Sequence, residues 1–94
     1  MANGTINKNI KYKDSANITF TFDNSNSCVM SINNIASLSG INRDSIYHID
    51  LIPASGWQTY IPMVVYNKAD RNIVVYISGI ASISPIAILR VFFE

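Results

Sequence analysis

The feature that most constrains this chain is a series of short β-branched and aromatic runs with no helical run between them. The clearest is NITFTFD (17–23), where Ile18, Phe20 and Phe22 alternate with Thr19 and Thr21. A period of two sends successive side chains to opposite faces, so this segment reads as a half-buried strand. Similar runs are TINKNIKYK (5–13), SCVMSI (27–32), IYHIDLI (46–52), WQTYIPMVVY (57–66), IVVYIS (73–78) and IAILRVFF (86–93). Turn-forming residues punctuate them: NSNS (24–27), PASG (53–56), the polar turn NKADRN (67–72) and the loop GIASISP (79–85). NKADRN joins 63–66 to 73–78 in the strongest hairpin signal of the chain. Residues 33–45 read as a loop or one short helical turn. About seven strands at roughly 8–12-residue spacing predict an all-β sandwich or barrel. A Rossmann-type fold is excluded, because both the helices and the glycine-rich phosphate loop are missing.

A chain of 94 residues holds one domain. Residues 1–16 read as an arm or edge strand whose lysines guard an open edge, and 17–94 as the β-sandwich. A domain this small buries only roughly 60–65% of its unfolded surface, so extra stabilisation is expected. It cannot come from an intrachain disulfide, since Cys28 is the one cysteine. One Cys and one His also make no Cys/His metal cluster, so no metal and no cofactor are expected. That leaves self-association. Segments 27–32, 73–78 and 86–93 are apolar on both faces, although a sandwich strand needs only one. A homo-oligomer is therefore expected. The charged fraction is 14%, against about 25% for ordinary soluble domains. Net charge is +1, and the scattered lysines and arginines form no stripe for nucleic acid. No apolar run approaches a membrane span, and MANGTINKNIKYK has no signal-peptide core; neither membrane insertion nor secretion is expected.

Several residues are candidates for chemistry. His48 and Asp50 are two apart on one strand and so share a face, where a carboxylate can orient an imidazole. The plain alternative is a solvated outer face. Trp57 follows the PASG loop and either offers its indole to a sugar ring or anchors the core with its N–H satisfied. Asn67, Asp70 and Arg71 sit with Asn72 on the hairpin tip, a polar cluster that suits ligand recognition and equally suits any exposed turn. Arg90 interrupts an apolar strand, with Glu94 a candidate partner. Cys28 reads as an inert core thiol. The six acidic residues show no paired spacing and the serines no activating partner, so no catalytic residues are expected and the chain reads as a non-enzyme.

A charge-poor, Asn/Ser/Ile/Thr-rich all-β unit that ends on the strand AILRVFFE resembles a known class. It is similar to the small β-sandwich or jelly-roll modules of tail-fibre, baseplate and receptor-binding proteins of phages of Gram-positive bacteria. The similarity is one of strand pattern over 17–94, with MANGTINKNIKYK like the short arms that precede such modules. It implies a jelly-roll-like antiparallel sandwich and a homotrimer. It further implies a place in the virion after synthesis in the bacterial cytoplasm, contacts with other virion proteins, and binding of a cell-surface saccharide. A purely structural capsid-decorating or baseplate-assembly role is the alternative.

Overall fold

The computed structural model describes residues 11–38 and 40–94. The first ten residues, which carry most of the expected arm strand, lie outside the described residues. Seven strands follow in order: β1 (Lys11–Asp14), β2 (Ile18–Thr19), β3 (Phe22–Ser31), β4 (Ile46–Ser55), β5 (Met63–Asn67), β6 (Asn72–Ile83) and β7 (Ile86–Phe93). Every pairing is antiparallel.

The registers follow a single plan. β1 pairs with β7 from Lys11↔Phe93 to Asp14↔Arg90, and β2 continues along the same flank at Ile18↔Ala87. β3 then pairs with β6 from Phe22↔Ile83 to Ser31↔Asn72. Residues 11–31 thus run alongside the whole of β6 and β7. On the opposite flank, β4 pairs with β7 and β5 with β6. The molecule is a central ribbon, β6–β7, with one long bent partner on each side. Folding the ribbon over at Ser84 and Pro85 makes two packed antiparallel sheets. One contains β1, β2, β4 and β7, and the other has the order β3-β6-β5.

The sequence accounts for the fold line. Ile73, Val75 and Ile77 of β6 and Ala87, Leu89 and Val91 of β7 are all buried at a spacing of two, so the ribbon is apolar inward on both sides of its bend. Pro85 has no N–H to give a ladder, and its carbonyl instead accepts from the Phe20 N–H at 2.8 Å. Phe20 and Phe22 fill the bend, each ring 6.2 Å from that of Trp57. Gly56 passes against the same point with φ +84°, and a Cβ there would lie 3.0 Å from Pro85 Cα. Only glycine fits both demands.

Ser15 joins β1 to β2 without breaking the edge. Its N–H donates to the Leu89 carbonyl at 2.9 Å, and its hydroxyl accepts from the Leu89 N–H at 3.0 Å. Opposite it, the segment after β3 is a chain of tight turns. The N–H groups of Ile35, Leu38 and Ile41 each donate to the carbonyl three residues earlier. This period of three drops Ile32, Ile35, Leu38 and Ile41 into the core.

Several expected boundaries move. NITFTFD crosses from one sheet to the other at the bend instead of forming one strand. NSNS lies inside β3 as a pair of register shifts: Asn24 takes the left-handed conformation (φ 52°), and the Ser25 hydroxyl accepts from the Ser27 N–H at 3.0 Å. β4 continues through Pro53 to Ser55, which an edge strand tolerates. β6 absorbs most of GIASISP and leaves Ser84 and Pro85 as the turn. WQTYIPMVVY becomes strand only at Met63; Trp57 to Tyr60 closes a turn with Gln58 at φ 57°. The NKADRN hairpin forms where its composition places it, with Asn67 opposite Asn72.

Candidate functional site

β7 is the centre of its sheet, so its outward side chains are flanked on both sides. Two rows result: Tyr12–Phe92–His48 and Asp14–Arg90–Asp50. The strand pattern alone does not give the first row its full width. A register shift between Ile46 and His48 inserts Tyr47 as an extra residue in β4. Ile46 and Ile49 are consequently both buried, while Tyr47 and His48 both point outward. Strict alternation would set Tyr47 beside Ile49 and Ile46 beside His48; the extra residue reverses the first half of that pattern.

The bulge gathers aromatic rings around Phe92. Tyr12 lies 6.1 Å from it, Tyr47 6.4 Å and His48 5.6 Å, centroid to centroid and all tilted. Tyr12 and Tyr47 keep more than half of their surface in solvent, at 59% and 52%. The polar row lies directly beside them. Arg90 donates through Nε and a terminal nitrogen to both Asp14 oxygens, at 2.8 and 3.0 Å, and its guanidinium sits 4.6 Å over the Tyr12 ring. This hydrogen-bonded pairing holds the Asp14 carboxyl below its ordinary value and raises Arg90 above its own. His48 Nε2–H donates to Asp50 Oδ1 at 2.6 Å. The face therefore offers ring surfaces, donors and acceptors on rigid strands, much of it already wet.

A groove of about 450 Å³ leads off this face into the seam between β4 and β5. Tyr47 and His48 line it on one side, Val64 and Tyr66 on the other, with Lys68 at the hairpin end. Burial pushes the Tyr66 hydroxyl upward from its ordinary value.

The structure brings together His48 and Asp50 of the expected site residues. Trp57 belongs to the core: it is 6% exposed, and its indole N–H donates to the Ile86 carbonyl at 2.9 Å. Asn67, Asp70 and Arg71 remain at the hairpin tip, where Asn67 Nδ2 donates to Asp70 Oδ2 at 3.1 Å. None of the three lines the groove beside the ring cluster, which of this turn only Lys68 reaches. Arg90 pairs with Asp14 and not with Glu94, whose backbone N–H donates to the Ser45 carbonyl. Cys28 packs against the core, and burial raises its thiol from the ordinary value. Sequence pattern alone does not mark Tyr12, Asp14, Tyr47 or Phe92 as site residues. The available signal was the outward register of Arg90 and Phe92 on a strand with two neighbours.

No family model, curated protein or solved structure matches this chain. Among the described residues, no helix is long and apolar enough to cross a membrane.

Proposed function

We propose that this chain is a non-enzymatic module of a phage or prophage virion that binds a host cell-surface saccharide on the outer face of its four-stranded sheet. The virion setting comes from the resemblance in strand pattern. The observation that carries the saccharide reading is the exposed ring cluster of Tyr12, Tyr47 and His48 around Phe92, set beside the polar row Asp14–Arg90–Asp50. Sugar rings present C–H faces that pack on aromatic rings, and their hydroxyls need donors and acceptors at fixed positions. A face of this kind supplies both with little ordering on binding. Trp57 takes no part in this reading, and neither does the hairpin tip. The module acts as a homo-oligomer, for which the resemblance in strand pattern implies three copies.

The test is adsorption of the purified protein to isolated Gram-positive cell walls and to a glycan array. Tyr47→Ala and a His48→Ala, Asp50→Ala double variant should each weaken saccharide binding about tenfold or more, about 1.4 kcal/mol. Asp70→Ala at the hairpin tip should leave it unchanged. A blank array, or variants that adsorb like the parent, rejects the saccharide reading. The structural alternative, a capsid-decorating or baseplate-assembly protein, is favoured by a different observation: the opposite outer face is apolar and uncharged.

A further inference from the structure

The outer face of the three-stranded sheet is built from three rows that the registers define. Ser27–Tyr76–Met63 lies next to Val29–Val74–Val65, followed by Ser31–Asn72–Asn67. None of these nine residues is charged. Val29 is 62% exposed, Met63 59%, Val65 43% and Tyr76 38%. Beyond Met63 and Tyr76 the same surface continues through Ile61 and Ile80, 72% and 68% exposed. An apolar sheet face open to this degree is unusual for an isolated domain and marks a contact surface.

We infer that this face pairs with the same face of a second copy, forming a two-fold dimer by sheet-on-sheet stacking. Three features identify the occupant as a copy of the chain. First, the rows are self-complementary. A two-fold axis lying in the interface parallel to β6 sets the valine row on the valine row, Tyr76 on Tyr76, and the Asn/Ser row on itself. Aligned stacking of this kind is the ordinary way two sheets bury their faces. Second, the area suffices. Three strands and the outward residues from Asn72 to Ile80 span roughly 15 Å by 30 Å, so two copies cover about 900 Å² before side-chain relief is counted. That flat footprint lies just under the about 1,000 Å² where specific pairs begin, and the relief of the exposed Val29, Ile61, Met63 and Ile80 side chains adds to it. Third, the face carries no charge to select a charged partner, whereas the other outer face carries Asp14, Arg90 and Asp50 and would set like charges close together in a stack.

A flat face meeting its own copy closes after two chains. The inference therefore sets a dimer against the three copies that the resemblance implies, and it stands independently of saccharide binding. Light scattering coupled to size-exclusion chromatography on the full chain at micromolar concentration should give twice the chain mass. A Val29→Lys, Val65→Lys double variant changes only exposed positions and should weaken pairing at least a hundredfold, giving the single-chain mass with an unchanged far-ultraviolet dichroism spectrum. Tyr47→Lys on the opposite face should still give the doubled mass. A parent protein that runs at one or three chain masses overturns the inference. So does a double variant that remains paired, or a Tyr47→Lys variant that dissociates.

Discussion

The two outer faces of the molecule use the same backbone device to opposite ends. Each is the outward side of a sheet whose middle strand is half of one ribbon. On β7 the outward residues are Ile88, Arg90 and Phe92, and their neighbours bring a carboxylate to either side of the arginine. On β6 the corresponding residues are Asn72, Val74 and Tyr76, and their neighbours bring valine, methionine, serine and asparagine. Both segments are apolar at alternate positions facing the core, and both carry apolar residues outward as well. The difference therefore lies in Arg90 on the middle strand β7 and in what the flanking strands contribute. One face is a patterned mixture of rings and charges that can read a polar ligand. The other is a uniform uncharged sheet that gains most by being covered. An apolar strand in a small β protein does not by itself say which of these it will become.

Both faces share one core, and Trp57 tests that most severely. Its ring packs on Phe20 and Phe22 at the fold line, and its N–H holds the Ile86 carbonyl where β7 begins. Trp57→Ala should cost about 3–5 kcal/mol. The total stability expected for a chain of this length is about 5–15 kcal/mol, so the variant should unfold far earlier in urea and lose both faces together. A variant that unfolds like the parent yet loses saccharide binding alone would assign the indole to a ligand and undo the division drawn between core and surface.

Gly56→Ala sharpens the same point at a single backbone position. A left-handed conformation and a contact of 3.0 Å to Pro85 Cα both oppose a Cβ there. The expected loss is about 1–3 kcal/mol by urea unfolding. Since Pro85 is the hinge of the ribbon, the variant should also disturb the angle between the sheets. The double mass of the paired protein should nevertheless survive wherever the chain still folds, because the three-stranded face lies away from the hinge.

Local pattern made part of this architecture legible. IAILRVFF gives β7 to the residue, and the NKADRN turn gives its hairpin. The period of two also puts His48 and Asp50 on one face, where they meet at 2.6 Å. The rest depends on contacts distant in sequence or on departures from the period. NSNS has the composition of a turn, yet the Asn24 N–H donates to the Ser82 hydroxyl and pairing with β6 resumes at Ser25, which keeps it in the strand. Tyr47 shifts the face of everything before it by occupying a bulge, which only the pairing with β7 defines. Asp14 and Arg90 meet across 76 positions of sequence, so neither announces the other. The period of three in Ile32, Ile35, Leu38 and Ile41 matches neither strand nor α-helix, so 33–45 reads only as a loop or one short helical turn, where the structure has successive tight turns and short 3-10 helices at Ile32–Asn34 and Arg43–Ser45.

The smallest effect expected is electrostatic, and it separates the faces by pH. Asp14 is held below its ordinary carboxyl value in the folded protein by the Arg90 hydrogen bonds. The unfolded chain therefore takes up this proton more readily than the folded one. Any stabilisation from the pair is fully present above the ordinary carboxyl range and is lost as pH falls through the lowered, folded value. Both groups are open to solvent, so screening keeps the global change small and places it at the edge strand. Amide exchange in β1, corrected for its intrinsic pH dependence, should accelerate on acidification through that range. Asp14→Asn should give the faster exchange already at neutral pH and remove this dependence. The rows Ser27–Tyr76–Met63 and Val29–Val74–Val65 hold no titrating acid or base in that range, so their corrected exchange should stay flat. If β1 and these central rows respond to acid alike, the protein is losing its whole fold, and the Asp14–Arg90 pair is not what fixes the ring cluster's edge.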